Sequence, residues 1–189
     1  MKKKNIAIFA SGSGSNAENI SRFFDQHPLI DVSLFLTNKQ EAFINQRAKM
    51  LGIPCYIFNR DDFYNTDKVV KELHKYNIDL IVLAGFLWLI PSNLLRNFPK
   101  AIINIHPALL PKYGGKGMYG DRVHQSVIEN KEMESGITIH YVNEEYDAGD
   151  IIFQATCKLD KHETAESLAS KVHELEYLHF PKVIESVLI

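Results

Sequence analysis

The chain has 189 residues, 46% hydrophobic and 23% charged, which is enough apolar material for the core of one α/β domain and excludes a disordered chain. Its 21 basic and 23 acidic residues leave a formal charge of -2, so no basic stripe is on offer to nucleic acid or to a membrane surface. The two cysteines, Cys55 and Cys157, are too few for a disulfide framework, and each reads as a free thiol buried in a strand.

Met1-Lys2-Lys3-Lys4 has the charge of a signal n-region, but the apolar run behind it stops at Ser11-Gly12, too short for an h-region or a membrane span. A cytoplasmic protein is expected. From there, short apolar runs alternate with amphipathic segments, the order of successive βα units. Strands are predicted at 6–10, 32–37, 55–58, 80–84 and 102–105, with helices at 16–24, 41–51 and 66–76. The run Ile81-Val82-Leu83-Ala84-Gly85-Phe86 lacks polar alternation, which places that strand in the middle of a parallel sheet covered on both faces. With two prolines and four glycines, 106–120 is a loop. A helix near 123–129 then precedes two strands, 136–142 and 151–159, close enough to pair antiparallel. From Glu163, Leu168, Val172, Leu175, Leu178 and Val183 repeat at helical spacing, predicting a long closing helix with a bend at Pro181. No linker or repeat divides the chain, so a single domain over 1–189 is expected.

Between the first strand and first helix lies Ser11-Gly12-Ser13-Gly14-Ser15-Asn16-Ala17, where free backbone N–H groups and the helix dipole favour an anion such as a phosphate. The same residues satisfy G-x-G-x-x-A, so a dinucleotide is the rival ligand. The second strand ends in Thr37-Asn38-Lys39, with no acid for a ribose hydroxyl. That disfavours NAD and leaves NADP, or a nucleotide-binding module without transfer chemistry, as the alternative reading.

Asn104-Ile105-His106-Pro107 ends the fifth strand, on the edge where open α/β sheets bind ligands. Asn104 and His106, two apart, share a strand face, and an amide and an imidazole there can converge on one substrate atom. The later strand pair adds His140 and the acidic turn 143–150, from which Asp147 can reach His106. With no G-x-S-x-G elbow and no cysteine in a loop, this set points to direct transfer. Asn104 and protonated His106 would donate to a developing oxyanion, while ionised Asp147 raises the histidine pKa and relays protons. A metal site of His106, His124, His140 and nearby acids lacks ligand spacing, so no metal is expected.

In Ser11 to Asn16, Val82-Leu83-Ala84-Gly85-Phe86, the run from Asn104 to Tyr113, His140-Tyr141-Val142 and Asp147-Ala148-Gly149, the chain resembles the folate-dependent formyltransferases over nearly its whole length. The resemblance implies a Rossmann-like formyltransferase fold: a mostly parallel sheet, helices on both faces and an antiparallel pair toward the C-terminus. It implies a phosphate-binding N-terminal half and a folate-binding, catalytic C-terminal half. The implied reaction passes the formyl group of 10-formyltetrahydrofolate to the amine of a glycinamide ribonucleotide, so small-molecule substrates are the expected partners. Asn104, His106 and Asp147 take the catalytic positions; Gly14, Ser15, Asn16 and Glu176 take the ribonucleotide positions. Leu87, Trp88, Leu89, Ile90, Asn104, Val142, Asn143, Glu144 and Asp147 fall on the folate site.

Overall fold

A computed structural model describes residues 3–189; Met1 and Lys2, which belong to the charged start noted above, lie outside the described residues. The strands are β1 (Lys4–Phe9), β2 (Ile30–Thr37), β3 (Cys55–Ile57), β4 (Ile78–Leu83), β5 (Ile102–His106), β6 (Glu134–Tyr141) and β7 (Ile151–Lys158). They form one sheet in the order β3-β2-β1-β4-β5-β6-β7. The five strands from β3 to β5 run parallel, and β6 lies antiparallel to both β5 and β7. The unalternating run begins in β4, the central strand, as its uniform apolarity requires, but the strand ends at Leu83 and 84–86 lead into the loop behind it.

The helices are α1 (Ser15–Phe23), α2 (Ile44–Leu51), α3 (Arg60–Tyr64), α4 (Lys68–Lys75), α5 (Ser92–Asn97), α6 (Asp121–Glu129) and α7 (Ala165–Leu188). Two cores flank the sheet because successive β1 side chains point to opposite faces. Ile6 and Ile8 pack with Ile20 of α1, Ala48 of α2, Val127 of α6 and Phe180 of α7. Ala7 and Phe9 pack with Phe63 of α3, Leu73 of α4 and Leu94 of α5.

Two of these helices escape the sequence periodicity because each spans barely more than a turn. The first, α3, is set by a capping box in which Asn59 accepts from the Asp62 N–H and Asp62 answers the Asn59 N–H. The second, α5, starts directly after Pro91. Two predicted helices begin later than expected. The Asn45 amide donates to the carbonyls of Lys39, Gln40 and Ala42, holding 39–43 as a turn ahead of α2. Thr66 Oγ1 accepts from the Lys68 N–H and so starts α4 two residues late. Pro181 lies inside α7, which continues to Leu188. Its ring removes the N–H that would reach the Tyr177 carbonyl, and Asn19 of α1 donates to that carbonyl at 3.0 Å instead. Cys55 and Cys157 are free and half-buried rather than fully buried, since both stand on short or edge strands; burial pushes the Cys55 thiol up to about 11. Among the described residues no helix is long and apolar enough to cross a membrane.

Candidate active site

A cavity of about 600 Å³ opens at the carboxyl ends of β1, β4 and β5. The glycine loop 12–16 lines one part of it, Asn104, His106 and Asp147 another, and 115–121, His173 and Glu176 contribute to the remaining wall. The glycine loop and the polar trio therefore share one chamber. Its place follows from the topology: β1 feeds β2 on one side and neighbours β4 on the other, leaving a crevice where the order reverses.

Gly14 caps α1 in the left-handed region at φ 70, with no side-chain cap bond. A Cβ there would stand 2.8 Å from Ile44 Cβ, so the close approach of α2 as well as the turn demands glycine. The loop is held from behind. The Ile44 N–H donates to the Gly12 carbonyl at 3.3 Å, and Arg47 Nε to the Ser13 carbonyl at 2.8 Å. Arg47 also pairs with Glu18. With these carbonyls engaged and the Ser15 N–H on a 3.4 Å contact to Ser13 Oγ, the Asn16 and Ala17 N–H groups, which no helical carbonyl can satisfy, remain for a ligand.

Strand register sets the trio. Asn104 and His106 share one face of β5, and β6 places His140 directly opposite Asn104. Asp147 arrives from the β6–β7 connection at φ 54, a left-handed conformation uncommon outside glycine. That connection can fold back because Gly149 carries no side chain: a Cβ would lie 1.7 Å from the Tyr141 carbonyl oxygen. Asp147 Oδ2 accepts from the Gly115 N–H at 3.0 Å and stands 3.5 Å from His106 Nδ1. Its Oδ1 lies 3.4 Å from Asn104 Nδ2 and 3.6 Å from His140 Nε2.

Carbonyl partners settle the ring protons. His106 Nε2 donates to the Tyr113 carbonyl at 2.8 Å, which leaves Nδ1, the atom facing Asp147, as the basic nitrogen. His140 Nδ1 donates to the Tyr141 carbonyl at 2.8 Å, so in the neutral ring Nε2 accepts from Asn104 at 3.1 Å. Both neighbours of the Asn104 amide nitrogen are acceptors, which fixes the amide orientation. Its second hydrogen, on a long contact to Asp147, is the one free to turn to a substrate oxygen.

Burial pushes Asp147 up, but the adjacent His140 ring, the nearby His106 and the Gly115 N–H outweigh it and hold the carboxyl below its ordinary range. It is ionised at neutral pH. For His106 the balance reverses: burial lowers its pKa, and Asp147 and the Tyr113 carbonyl only partly offset this. The expectation that Asp147 holds His106 protonated is thus corrected, because the ring side chain is only 4% exposed and loses more solvation than the carboxylate returns. At rest the pair is a neutral imidazole beside a carboxylate.

Glu176, which sequence reasoning alone would leave on a solvated helix face, is buried. Its Oε2 accepts from Asn16 Nδ2 at 2.8 Å and meets His173 Nδ1 at 2.9 Å, and that hydrogen bond raises the His173 pKa. His173 was missed by the sequence reading; its i,i+3 spacing to Glu176 was the available signal. The carbonyl of Tyr113 and the N–H of Gly115 were also missed, and backbone groups leave no side-chain signature. His124, weighed above only as a metal ligand, lines the cavity and is buried without a hydrogen-bond partner at Nδ1.

The folate positions divide. Leu87, Asn104 and Asp147 reach the cavity wall; Trp88, Leu89, Ile90, Val142, Asn143 and Glu144 do not. Ile90 is buried in the second core, where Trp88 and Val142 also pack. The Trp88 ring rests among Phe58, Phe63, Tyr64 and Phe86, with the Arg60 guanidinium 5.7 Å above it. The Leu89 carbonyl accepts from the Tyr64 hydroxyl at 3.0 Å. Asn143 and Glu144 are solvent-exposed on the turn. Lys39, the residue that an NADP phosphate would need, is exposed and stands outside the cavity wall. Among the described residues no group of three or more His, Cys, Asp or Glu side chains is arranged to hold a metal.

Residues 4–184 match the formyl transferase family. The chain is 40% identical to the chloroplastic phosphoribosylglycinamide formyltransferase of Arabidopsis thaliana, with 98% of this chain and 66% of the plant protein covered. It therefore spans just under two thirds of that plant protein, and 62% of the Vigna unguiculata enzyme. It is 35% identical to the Bacillus subtilis phosphoribosylglycinamide formyltransferase, covering 98% of this chain and 95% of that one. The crystal structure of glycinamide ribonucleotide transformylase 1 from Geobacillus kaustophilus superposes with a TM-score of 0.89 at 30% identity, covering 99% of this chain and 100% of that one.

Proposed function

The chain belongs to the formyl transferase family, and from that premise we propose that it transfers the formyl group of 10-formyltetrahydrofolate to the amine of 5'-phosphoribosylglycinamide, a step of purine nucleotide biosynthesis. The observation that carries this reading is the single cavity joining the glycine loop to Asn104, His106 and Asp147. A phosphate at one part and a reacting amine at the other call for a substrate of that shape. Gly14, Ser15 and Asn16 receive the phosphate on the N-terminus of α1, and Glu176, tied to Asn16, accepts from the ribonucleotide's N–H and O–H groups. Folate reaches the trio past Leu87. The backbone of 87–90 and of 142–144 forms its outer rim, a role in which the packed side chains of Trp88 and Ile90 do not matter.

Chemistry then needs little base strength. An amine of pKa about 8 is neutral in about one molecule in ten at pH 7, and that fraction attacks the formyl carbon directly. A C–N bond forms and the carbonyl electrons move to oxygen. The tetrahedral oxyanion accepts a hydrogen bond from the free Asn104 N–H. His106 Nδ1 accepts the proton from the attacking nitrogen, and the imidazolium so formed faces Asp147. Collapse expels the tetrahydrofolate nitrogen, which recovers that proton. Removing one oxyanion donor costs about 3 kcal/mol, or roughly a hundredfold in rate. The whole chain, 1–189, acts as one formyltransferase domain in the cytoplasm.

Mixing purified protein with glycinamide ribonucleotide and 10-formyltetrahydrofolate, and following the absorbance of the folate product, tests substrate pair and reaction together. Tight NADPH binding without any response to the ribonucleotide would overturn the proposal.

A further inference from the structure

One buried polar side chain of the cavity, His124, has no part in the mechanism. It lies in the first turn of α6, is only 5% exposed and lines the same cavity. No hydrogen bond to either ring nitrogen is formed among the described residues, and Nδ1 is sealed from solvent. The other buried polar atom of the cavity wall in this condition is Asn16 Oδ1, whose amide nitrogen is spoken for by Glu176.

Orphaned N–H groups in protein interiors are rarer than orphaned acceptors, so the neutral ring keeps a lone pair on the sealed Nδ1 and carries its proton on Nε2. Burial, the dominant influence on this ring and only partly offset by Glu176, keeps it neutral. The titratable groups acting on it are Glu176, His173, Asp121 and His106, which places it between the α7 wall and the reacting centre. A donor is thus presented to the middle of the chamber, where the proposed functional groups otherwise include the acceptor-only Glu176.

We infer that His124 is a substrate-positioning residue whose Nε2–H donates to the amide carbonyl oxygen of the glycinamide arm. This rests on the ribonucleotide reading of the cavity. The arm has one strong acceptor, that carbonyl, and it lies between the ribose and the attacking amine. The contact holds the arm of the bound ribonucleotide against the α6 wall of the chamber. It is made in ground and transition states alike and should act on KM rather than kcat.

The test uses the full chain. His124→Leu should raise KM for glycinamide ribonucleotide about tenfold, leave KM for 10-formyltetrahydrofolate unchanged and hold kcat within about twofold. His124→Gln, whose amide nitrogen falls near the Nε2 position, should recover most of the loss. His124→Asn, which reaches only as far as Nδ1, should not. A ribonucleotide bearing a thioamide in place of the amide, a weaker acceptor, should be penalised by wild type and not by His124→Leu. An unchanged ribonucleotide KM in His124→Leu, or rescue by Asn rather than Gln, overturns the inference; if the leucine variant does not fold, the Gln and Asn comparison and the thioamide penalty on wild type decide it. Wild-type protein that formylates no ribonucleotide refutes the functional reading instead, a result distinct from either.

Discussion

Replacing Asp147 by Asn removes one charge from the trio and little else. The amide oxygen can still accept from the Gly115 N–H, now 3.0 Å away, and the side-chain volume is unchanged. What disappears is the carboxylate 3.5 Å from His106 Nδ1. Both side chains are nearly buried, at 4% and 11% exposure, so solvent screens them weakly. At an effective dielectric constant of 20, unit charges at that separation attract by about 4 to 5 kcal/mol. The resting imidazole is neutral, so this attraction is felt only when His106 takes the amine proton, and it lowers the barrier rather than the ground state. Asp147→Asn should therefore reduce kcat by roughly a thousandfold. Affinity for the ribonucleotide, measured by calorimetry without folate, should stay within about threefold, since Asp147 makes no bond to the glycine loop. Steady-state formylation by a variant whose circular dichroism matches wild type is the assay. A kcat within tenfold of wild type would refute the assignment of charge stabilisation to Asp147.

Gly14→Ala forces a left-handed residue against Ile44 Cβ at 2.8 Å, so it should raise the ribonucleotide KM at least tenfold and lower Tm by several degrees while sparing the folate KM, as parallel titrations would show. Glu176→Gln keeps an acceptor for Asn16 but loses its charge; the ribonucleotide KM should rise about tenfold, and in an NMR titration the His173 pKa should fall toward its ordinary value, because Glu176 is what raises it. Acidification should destabilise the fold. Buried His106 and His124 have folded-state pKa values below the unfolded 6.5, so the unfolded chain binds more protons and stability drains as pH falls below about 6.5. The half-exposed His173 opposes this weakly. A Tm that holds constant or rises between pH 7 and 5.5 would contradict the assignment of these rings as buried and neutral.

Strand and helix order was legible in the sequence because each element obeys its own period: the unalternating 81–83 closes the central strand, and Leu168, Val172 and Val183 lie on the buried stripe of α7, although Leu178 of the same repeat is exposed. So was the convergence of Asn104 with His106, since residues two apart on a strand share a face whatever surrounds them. The glycine loop declared its tight turn into α1 through local backbone chemistry. Other features depend on which distant segments meet. Glu176 became a buried partner of Asn16, 160 residues away, only when α7 crossed α1. Trp88 and Ile90, expected at the folate site, packed into the second core instead of the cavity wall. His106 rests neutral because the folded interior strips its water, an effect that no spacing of residues encodes. Periodicity and turn chemistry are local and survive in one dimension; desolvation and long-range pairing arise from what the fold packs around each group.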